Sequence, residues 1–439
     1  MRPLKIKPVQ NLKGVVRVPG DKSVSHRALM LSAISKGRTV INNFLFSDDC
    51  LVTLRALSAC GIKISADKRS AKVRVFSSGV LISPKKPLFM NESGTSTRVL
   101  AGLFAGQKVT AVLTGARSLN KRPMERIIKP LELMGASIKC GVKEGFLPFE
   151  IFPAELHGIT WKQKIASAQV KSAILLAGIT AEGESVVIEP HATRDHTERM
   201  LKLFGARIKV AGNMVRLCKS ELFSPGKISI PGDISSAAFF IVAGLIVPGS
   251  KLIIKDVGIN PTRAGLLNVL RRMGAKINLL KKKNTFEPIA DIEVVSSRLK
   301  GVIVESSEIP SLIDELPILM VAASFAGGKT LIKGVGELRV KEADRVESMR
   351  YNLTKLGVNI QVKRHNNNEN VEIHGSGVDG GVHLKSFSDH RTAMSMVVAA
   401  LSSRKGATLD DISCVKKSFP AFMPVLNHLI GKQQVSRQI

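Results

Sequence analysis

Leu133-Met134-Gly135-Ala136-Ser137-Ile138 is one copy of a phrase that recurs through the chain. Its apolar start reads as the last turn of a helix. Its glycine reads as a left-handed stop, and its alternating end as the entry to a strand. The phrase returns at Ala59-Cys60-Gly61-Ile62-Lys63-Ile64, Leu203-Phe204-Gly205-Ala206-Arg207-Ile208, Arg272-Met273-Gly274-Ala275-Lys276-Ile277 and Lys355-Leu356-Gly357-Val358-Asn359-Ile360. Leu429-Ile430-Gly431 is a truncated sixth copy. The six glycines are 74, 70, 69, 83 and 74 residues apart. Units this long, each holding helices and strands, exceed most solenoid repeats and are expected to gather into domains.

A longer echo groups the units. Val16-Arg17-Val18-Pro19-Gly20-Asp21 returns 212 residues later as Ile228-Ser229-Ile230-Pro231-Gly232-Asp233, and each copy introduces an apolar helix. A chain of 439 residues is too long for one ordinary core. The expected fold is therefore α/β (α+β), with two similar domains of three units each. Residues 1–17 and 230–439 form one discontinuous domain, and residues 18–229 the other.

Composition bounds the function. Apolar residues at 44% and charged residues at 23% are globular values. Lys and Arg number 65 against 35 Asp and Glu, a net charge of +30, which favours acidic partners. Aromatics are only 4%, with one Trp and one Tyr, which argues against a base-stacking platform. The basic residues are interleaved with Gly, Ser and acids and form no stripe, so no nucleic-acid partner is expected. Cys50, Cys60, Cys140, Cys218 and Cys414 are scattered, odd in number and form no Cys-x-x-Cys. That pattern fits a reducing cytoplasm and offers neither a disulfide framework nor a metal site. No signal-type apolar segment stands near the N-terminus, and the longest apolar run, Ala237 to Val247, is too short for a bilayer. A cytoplasmic protein without membrane contact is expected.

The polar clusters share one position, the start of a helix. Pro19-Gly20-Asp21-Lys22-Ser23-Val24-Ser25-His26-Arg27 runs into Ala28, Leu29 and Met30. Gly94-Thr95-Ser96-Thr97-Arg98, Ser167-Ala168-Gln169, Arg194-Asp195-His196-Thr197, Asp233-Ile234-Ser235-Ser236, Lys341-Glu342-Ala343-Asp344-Arg345 and Asp389-His390-Arg391 do the same, and Arg122-Pro123 precedes another helix. Free N–H groups and the positive dipole end collect at such starts, so they suit phosphate or carboxylate. Asp314 and Glu315 stand among Leu312, Ile313 and Leu316, and apolar surroundings raise a carboxyl toward general-base range. Taken alone, Lys341/Asp344 and Glu342/Arg345 are also what a solvated ion-pair network shows. Gly327-Gly328-Lys329-Thr330 imitates the end of a Walker loop, but the first glycine position is Ala323, and a turn before the strand Leu331-Ile332 is expected.

Together these clusters resemble, in order and over nearly the whole chain, the 5-enolpyruvylshikimate-3-phosphate synthase (3-phosphoshikimate 1-carboxyvinyltransferase) family. Lys417-Ser418-Phe419-Pro420 closes the set. The resemblance implies βαβαββ-like units, with helix N-termini facing an active site in the inter-domain cleft. It implies transfer of the enolpyruvyl group of phosphoenolpyruvate to the 5-hydroxyl of shikimate 3-phosphate, releasing phosphate, with no cofactor and no metal. It assigns Lys22, Ser23, Arg27, Ser167, Gln169, Arg194, Asp314 and Lys341 to shikimate 3-phosphate. Lys22, Gly94, Arg122, Gln169, Lys341, Arg345, Arg391 and Lys417 fall to phosphoenolpyruvate. Lys22, Asp314 and Glu342 are the implied catalytic residues, Asp314 near the 5-hydroxyl and Glu342 handling the methylene proton. A monomer and a glyphosate target are implied as well. Glu92 stands where the family usually carries Asn. The sister transferase acting on UDP-N-acetylglucosamine fits less well. It opens with Gly-Ala-Lys-Asn against Asp21-Lys22-Ser23 here, and its loop cysteine has no counterpart between Ala105 and Arg122.

Overall fold

In a computed structural model of the protein, residues 3–365 and 368–431 are described. They divide into two compact units, Met1–Pro19 with Pro231–Ile439, and Gly20–Ile230. The chain passes between them at Pro19–Gly20 and Ile230–Pro231, inside the two echoing segments.

The glycine phrase does what its chemistry dictates. Gly61, Gly135, Gly205, Gly274, Gly357 and Gly431 all have φ between 78° and 97°, where a Cβ is penalised. At the first five the chain folds back in the same double hydrogen bond. Ala136 N–H reaches the Leu131 carbonyl at 2.9 Å while Gly135 N–H reaches Glu132 at 2.9 Å, and the other four copies repeat the pattern. The strand that follows, Ser137–Cys140 in this copy, lies at a sheet edge, antiparallel to its neighbour Phe149–Phe152.

Each unit carries three small sheets. In Gly20–Ile230 all three are four-stranded, each with one parallel and two antiparallel pairings. In the other unit two are four-stranded, and the third is three-stranded. The parallel pair Lys13–Arg17 with Lys251–Lys255 explains why the first residues fold with the C-terminal half. Lys329 and Thr330 lie within the strand Gly328–Ile332, so the strand begins inside the segment expected to be a turn.

The helices fill the centre of each unit. Helix Ile234–Ile246 is buried at every residue because its sequence is apolar on all sides, and it packs on Leu316–Ser324 and His390–Ser402. In the other unit helices Gly94–Gly106 and Ala168–Gly178 make the closest approach. A Cβ on Gly102 would lie 2.1 Å from the Ala173 carbonyl oxygen, so only glycine fits. Among the described residues no helix is long and apolar enough to cross a membrane.

Candidate active site

In Gly20–Ile230 the candidate residues stand at the starts of the central helices. Asp21 caps helix Lys22–Ala33, accepting from Val24 N–H at 2.9 Å. Ser93 caps Gly94–Gly106, and Ser167 caps Ala168–Gly178. Lys22, at the first position of its helix, pairs with Asp49 at 3.0 Å. Asp49 belongs to the first turn of helix Asp48–Ala59, where an acid also complements the dipole.

A buried hydrogen-bonded chain joins helices Lys22–Ala33, Asp48–Ala59 and Gly94–Gly106. His26 Nδ1 lies 2.7 Å from Thr53 Oγ1, Thr53 is 2.9 Å from Ser96 Oγ, and Ser96 is 2.7 Å from the capping Ser93 Oγ. Burial, with Lys22 and Arg27 adding to it, pulls His26 down to about 3, so the ring is neutral at physiological pH. Arg27 is turned inward, with Nε to Thr197 Oγ1 at 2.6 Å, Nη2 to Ser172 Oγ at 2.7 Å, and Nη1 to the Ser23 carbonyl at 3.1 Å.

Gln169 links two clusters that are distant in sequence. Its oxygen accepts from Arg98 at 2.8 Å, and its nitrogen donates to Thr95 Oγ1 at 3.0 Å. Gly94 opens the neighbouring helix, and a Cβ built there would stand 3.2 Å from Arg98 Nη1 and 3.4 Å from Arg122 Nη1. Gly94, Gln169 and Arg122 are thus brought together through Arg98. Arg122 lies in the turn before helix Glu125–Leu133, which begins two residues beyond Pro123. Glu92 accepts from Ser118 Oγ at 2.9 Å, bracing the loop from outside. Arg194 is half-buried in the segment before helix His196–Leu203.

In the other unit the candidates gather on Arg345, which is 1% exposed. Its Nε and Nη2 donate to Asp389 Oδ2 at 3.0 and 2.9 Å, Nη2 also to Glu342 at 2.6 Å, and Nη1 to Asp314 at 3.3 Å. Burial works against its charge, but Asp389, Glu342 and Asp314 outweigh it and hold the guanidinium more firmly protonated than usual. Asp389 Oδ1 meanwhile caps helix His390–Ser402 through Arg391 N–H and Thr392 N–H. Arg391 Nη1 donates to the Asp314 carbonyl at 2.8 Å.

The surroundings of Asp314 differ from the apolar setting its sequence neighbours suggest. Leu312 and Leu316 face the core, whereas the Asp314 carboxylate meets Arg345 at 3.3 Å and Arg263 and Arg391 at 3.8 Å each. Neighbours in sequence on a 3-10 turn point in different directions, so apolar flanks did not make an apolar pocket. Lys341 and Glu342 lie in the bend before helix Arg345–Lys355, whose cap is Asp344. Asp344 pairs with Arg339 at 2.5 Å, and the pair Glu342–Arg345 forms as spaced. Lys417 ends the 3-10 turn Ser413–Lys417, packed on helix His390–Ser402.

Three charged groups of the two clusters and their surroundings stand outside the sequence motifs. Arg263 is buried between Asp233, Asp314 and Glu315, and its Nη2 donates to Ser235 at 2.6 Å. Asp49 pairs with Lys22. Lys171 is buried between Glu189 and Glu198 at 2.6 and 2.7 Å. A lysine inside the otherwise small and apolar run Val170–Gly178 was the available signal for the last; Arg263 had none. Burial pushes the Glu198 carboxyl up despite Lys171, while Lys171 itself is held charged against burial by its two carboxylates. Among the described residues no cluster of His, Cys, Asp and Glu has the arrangement of a metal site.

The sequence profile of the family described as EPSP synthase (3-phosphoshikimate 1-carboxyvinyltransferase) matches residues 6–426. The chain belongs to the EPSP synthase family. It is similar to the 3-phosphoshikimate 1-carboxyvinyltransferase of Geotalea daltonii, 45% identical over 96% of this chain and 97% of that protein. The protein of the same name from Leuconostoc citreum is 46% identical over 95% and 97%. The solved EPSP synthase of Acinetobacter baumannii superposes with a TM-score of 0.88 at 41% identity, covering 98% of both chains. The enolpyruvyl transferase NikO of Streptomyces tendae, at 18% identity and a TM-score of 0.78 over 97% of each chain, shares the fold. As an EPSP synthase, the protein catalyses the transfer that the family name states, of a 1-carboxyvinyl group to 3-phosphoshikimate, a step of aromatic amino-acid biosynthesis.

Proposed function

We propose that the two clusters, one in each unit, both serve phosphoenolpyruvate and shikimate 3-phosphate. Lys22, Ser23, Arg27, Ser167, Gln169 and Arg194, with Asp314 and Lys341, hold the phosphorylated acceptor. Lys22, Gly94, Arg122, Gln169, Lys341, Arg345, Arg391 and Lys417 hold phosphoenolpyruvate. Both substrates are anions, and fixed cations and helix N-termini offset their repulsion.

The reaction adds the acceptor 5-hydroxyl to the enol carbon that bears phosphate and then expels phosphate. A proton leaves the hydroxyl, the methylene carbon gains one, and it loses one again when the double bond re-forms. Asp314 takes the first proton, and Glu342 handles the second exchange. The observation that carries this reading is the Arg345 hub, which contacts both carboxylates from one buried guanidinium. Two carboxylates in unlike settings suit two proton transfers. The scattered free cysteines support a cytoplasmic location, and we take the active species to be a monomer.

A phosphate-release assay tests the reading. Release is expected with phosphoenolpyruvate plus shikimate 3-phosphate, and none with UDP-N-acetylglucosamine as acceptor. Lys22→Ala and Arg122→Ala should each lose roughly 1.5–3 kcal/mol of charge-assisted binding, about 10- to 100-fold in activity. A folded variant with normal turnover removes that residue from the site.

A further inference from the structure

Lys171 and Ser172 are neighbours on helix Ala168–Gly178, and each grips helix His196–Leu203. Lys171 Nζ meets Glu198 at 2.7 Å, and Ser172 Oγ meets Thr197 Oγ1 at 2.7 Å. Arg27 joins the second link by donating to both hydroxyls. Lys171 also meets Glu189 at 2.6 Å, just past the end of strand Glu184–Ile188. Glu189 in turn accepts from the Thr193 hydroxyl and, at 3.4 Å, from the Thr193 N–H. One ammonium therefore ties down both ends of the segment that contains Arg194. All three charged side chains are buried, Lys171 at 1%, Glu189 at 3% and Glu198 at 4% exposure.

Stability alone does not call for such a group. A buried ion cluster is often matched or bettered by apolar side chains of the same volume. What an apolar contact cannot supply is direction. One ammonium shared by two buried carboxylates fixes where the parts they join must meet, because any other packing leaves a buried charge without its partner. An arginine that must meet a carboxylate or phosphate needs its backbone held to about 0.5 Å, and a segment between a strand and a helix has no such rigidity of its own.

We propose that Lys171 is a positioning residue for acceptor binding, a buried staple that closes the segment around Arg194 and aligns it with Arg27. This rests on the reading of Arg194 and Arg27 as acceptor-binding residues. It gives Lys171, Glu189 and Glu198 a role in the reaction without contact to either substrate.

Steady-state kinetics of the full-length protein test it, with thermal melts alongside, on Lys171→Met, Glu198→Gln and, for reference, Arg194→Ala. Lys171→Met and Glu198→Gln are each expected to raise KM for shikimate 3-phosphate by about tenfold while leaving KM for phosphoenolpyruvate unchanged. If Lys171→Met does not fold, Glu198→Gln decides, because it keeps the Lys171–Glu189 pair and removes only the charge from the link to the helix. A lowered melting temperature with a wild-type acceptor KM makes the cluster purely structural and overturns the proposal. A rise in both KM values together overturns it too, since the effect is then not confined to the acceptor. An Arg194→Ala variant with a normal acceptor KM shows instead that the site reading itself fails, and the inference falls with it.

Discussion

Replacing Asp389 by Asn separates two tasks that one carboxylate performs. The side chain is fully buried. One oxygen takes Nε and Nη2 of Arg345 at 3.0 and 2.9 Å, and the other caps a helix through the N–H groups of Arg391 and Thr392 at 3.0 and 2.8 Å. Asn caps as well as Asp, so the second task survives. The first does not, and removing one partner of a buried pair costs about 3–5 kcal/mol. Arg345 keeps Glu342 at 2.6 Å and Asp314 at 3.3 Å, so its charge is not stranded, and the low end, about 3 kcal/mol, is expected. In a unit of this size 1 kcal/mol moves Tm by about 2–4 °C, giving a fall of about 6–12 °C. Asp389→Ala also loses the cap and should fall by about 1 kcal/mol more. The pH dependence follows from the sign of the shift. Burial alone would raise the Asp389 carboxyl, but Arg345 prevails and holds it below the ordinary range. A depressed carboxylate contributes its stability above the unfolded value of about 3.9, and loses it as pH falls through the folded value. Thermal and urea melts of wild type and both variants should therefore show the full gap at neutral pH, closing only in acid below about pH 4. An Asn variant as stable as wild type at pH 7, or a gap already closed near pH 6, refutes the reasoning.

His26 shifts stability in a different window. Its folded value of about 3 lies below the unfolded value of about 6.5, so stability is full above pH 6.5 and declines as pH falls toward 3. His26→Gln should flatten that part of the profile, and an unchanged slope would discount the neutral ring. Gly94→Ala should fold, because its Cβ crowds the movable heads of Arg98 and Arg122 and meets Leu119 Cδ1 at an ordinary 3.8 Å. The added methyl narrows the space beside Arg98 and Arg122, so it should weaken glyphosate, which is longer than phosphoenolpyruvate, more than the substrate; an inhibition titration giving the same constant as wild type excludes that narrowing. Burial pushes the Cys50 thiol up, and Cys60 and Cys414 to about 12. A thiol reagent on native protein at pH 8 should label Cys140 and Cys218 first, and rapid labelling of Cys50 would contradict its burial.

What was legible in the sequence is what local chemistry controls. Asp21, Asp233 and Asp389 each cap the helix they precede, because a short carboxylate reaches the free N–H groups two or three residues on. The six glycines stop helices because glycine adopts the positive φ of that turn at low cost and other residues are strained there. The arginine and lysine partners were hidden for the opposite reason. Arg263 meets Asp233 and Asp314, and Lys22 meets Asp49, across separations that no periodicity records. Asp314 shows the limit most directly. Its sequence neighbours are apolar, but its spatial neighbours are three guanidinium groups supplied by three distant segments.

The discontinuous unit also sets an order of assembly. Leu4–Ile6 pairs with Ala407–Leu409, and Lys13–Arg17 with Lys251–Lys255, so among the described strands these two wait across the longest stretches of chain for a partner. Gly20–Ile230 is continuous, and all three of its sheets close within it. At a synthesis rate of about 5–20 residues per second, Leu4–Ile6 waits on the order of 20–80 s for its partner to be made. An unpaired strand is a template for aggregation for as long as it waits. The run Pro3-Leu4-Lys5-Ile6-Lys7-Pro8 alternates its two apolar residues with lysines and closes both ends with proline, which keeps the strand short and repels a second copy. Part of the positive charge of this chain is thus placed where it disfavours pairing of this waiting strand with a second copy of itself.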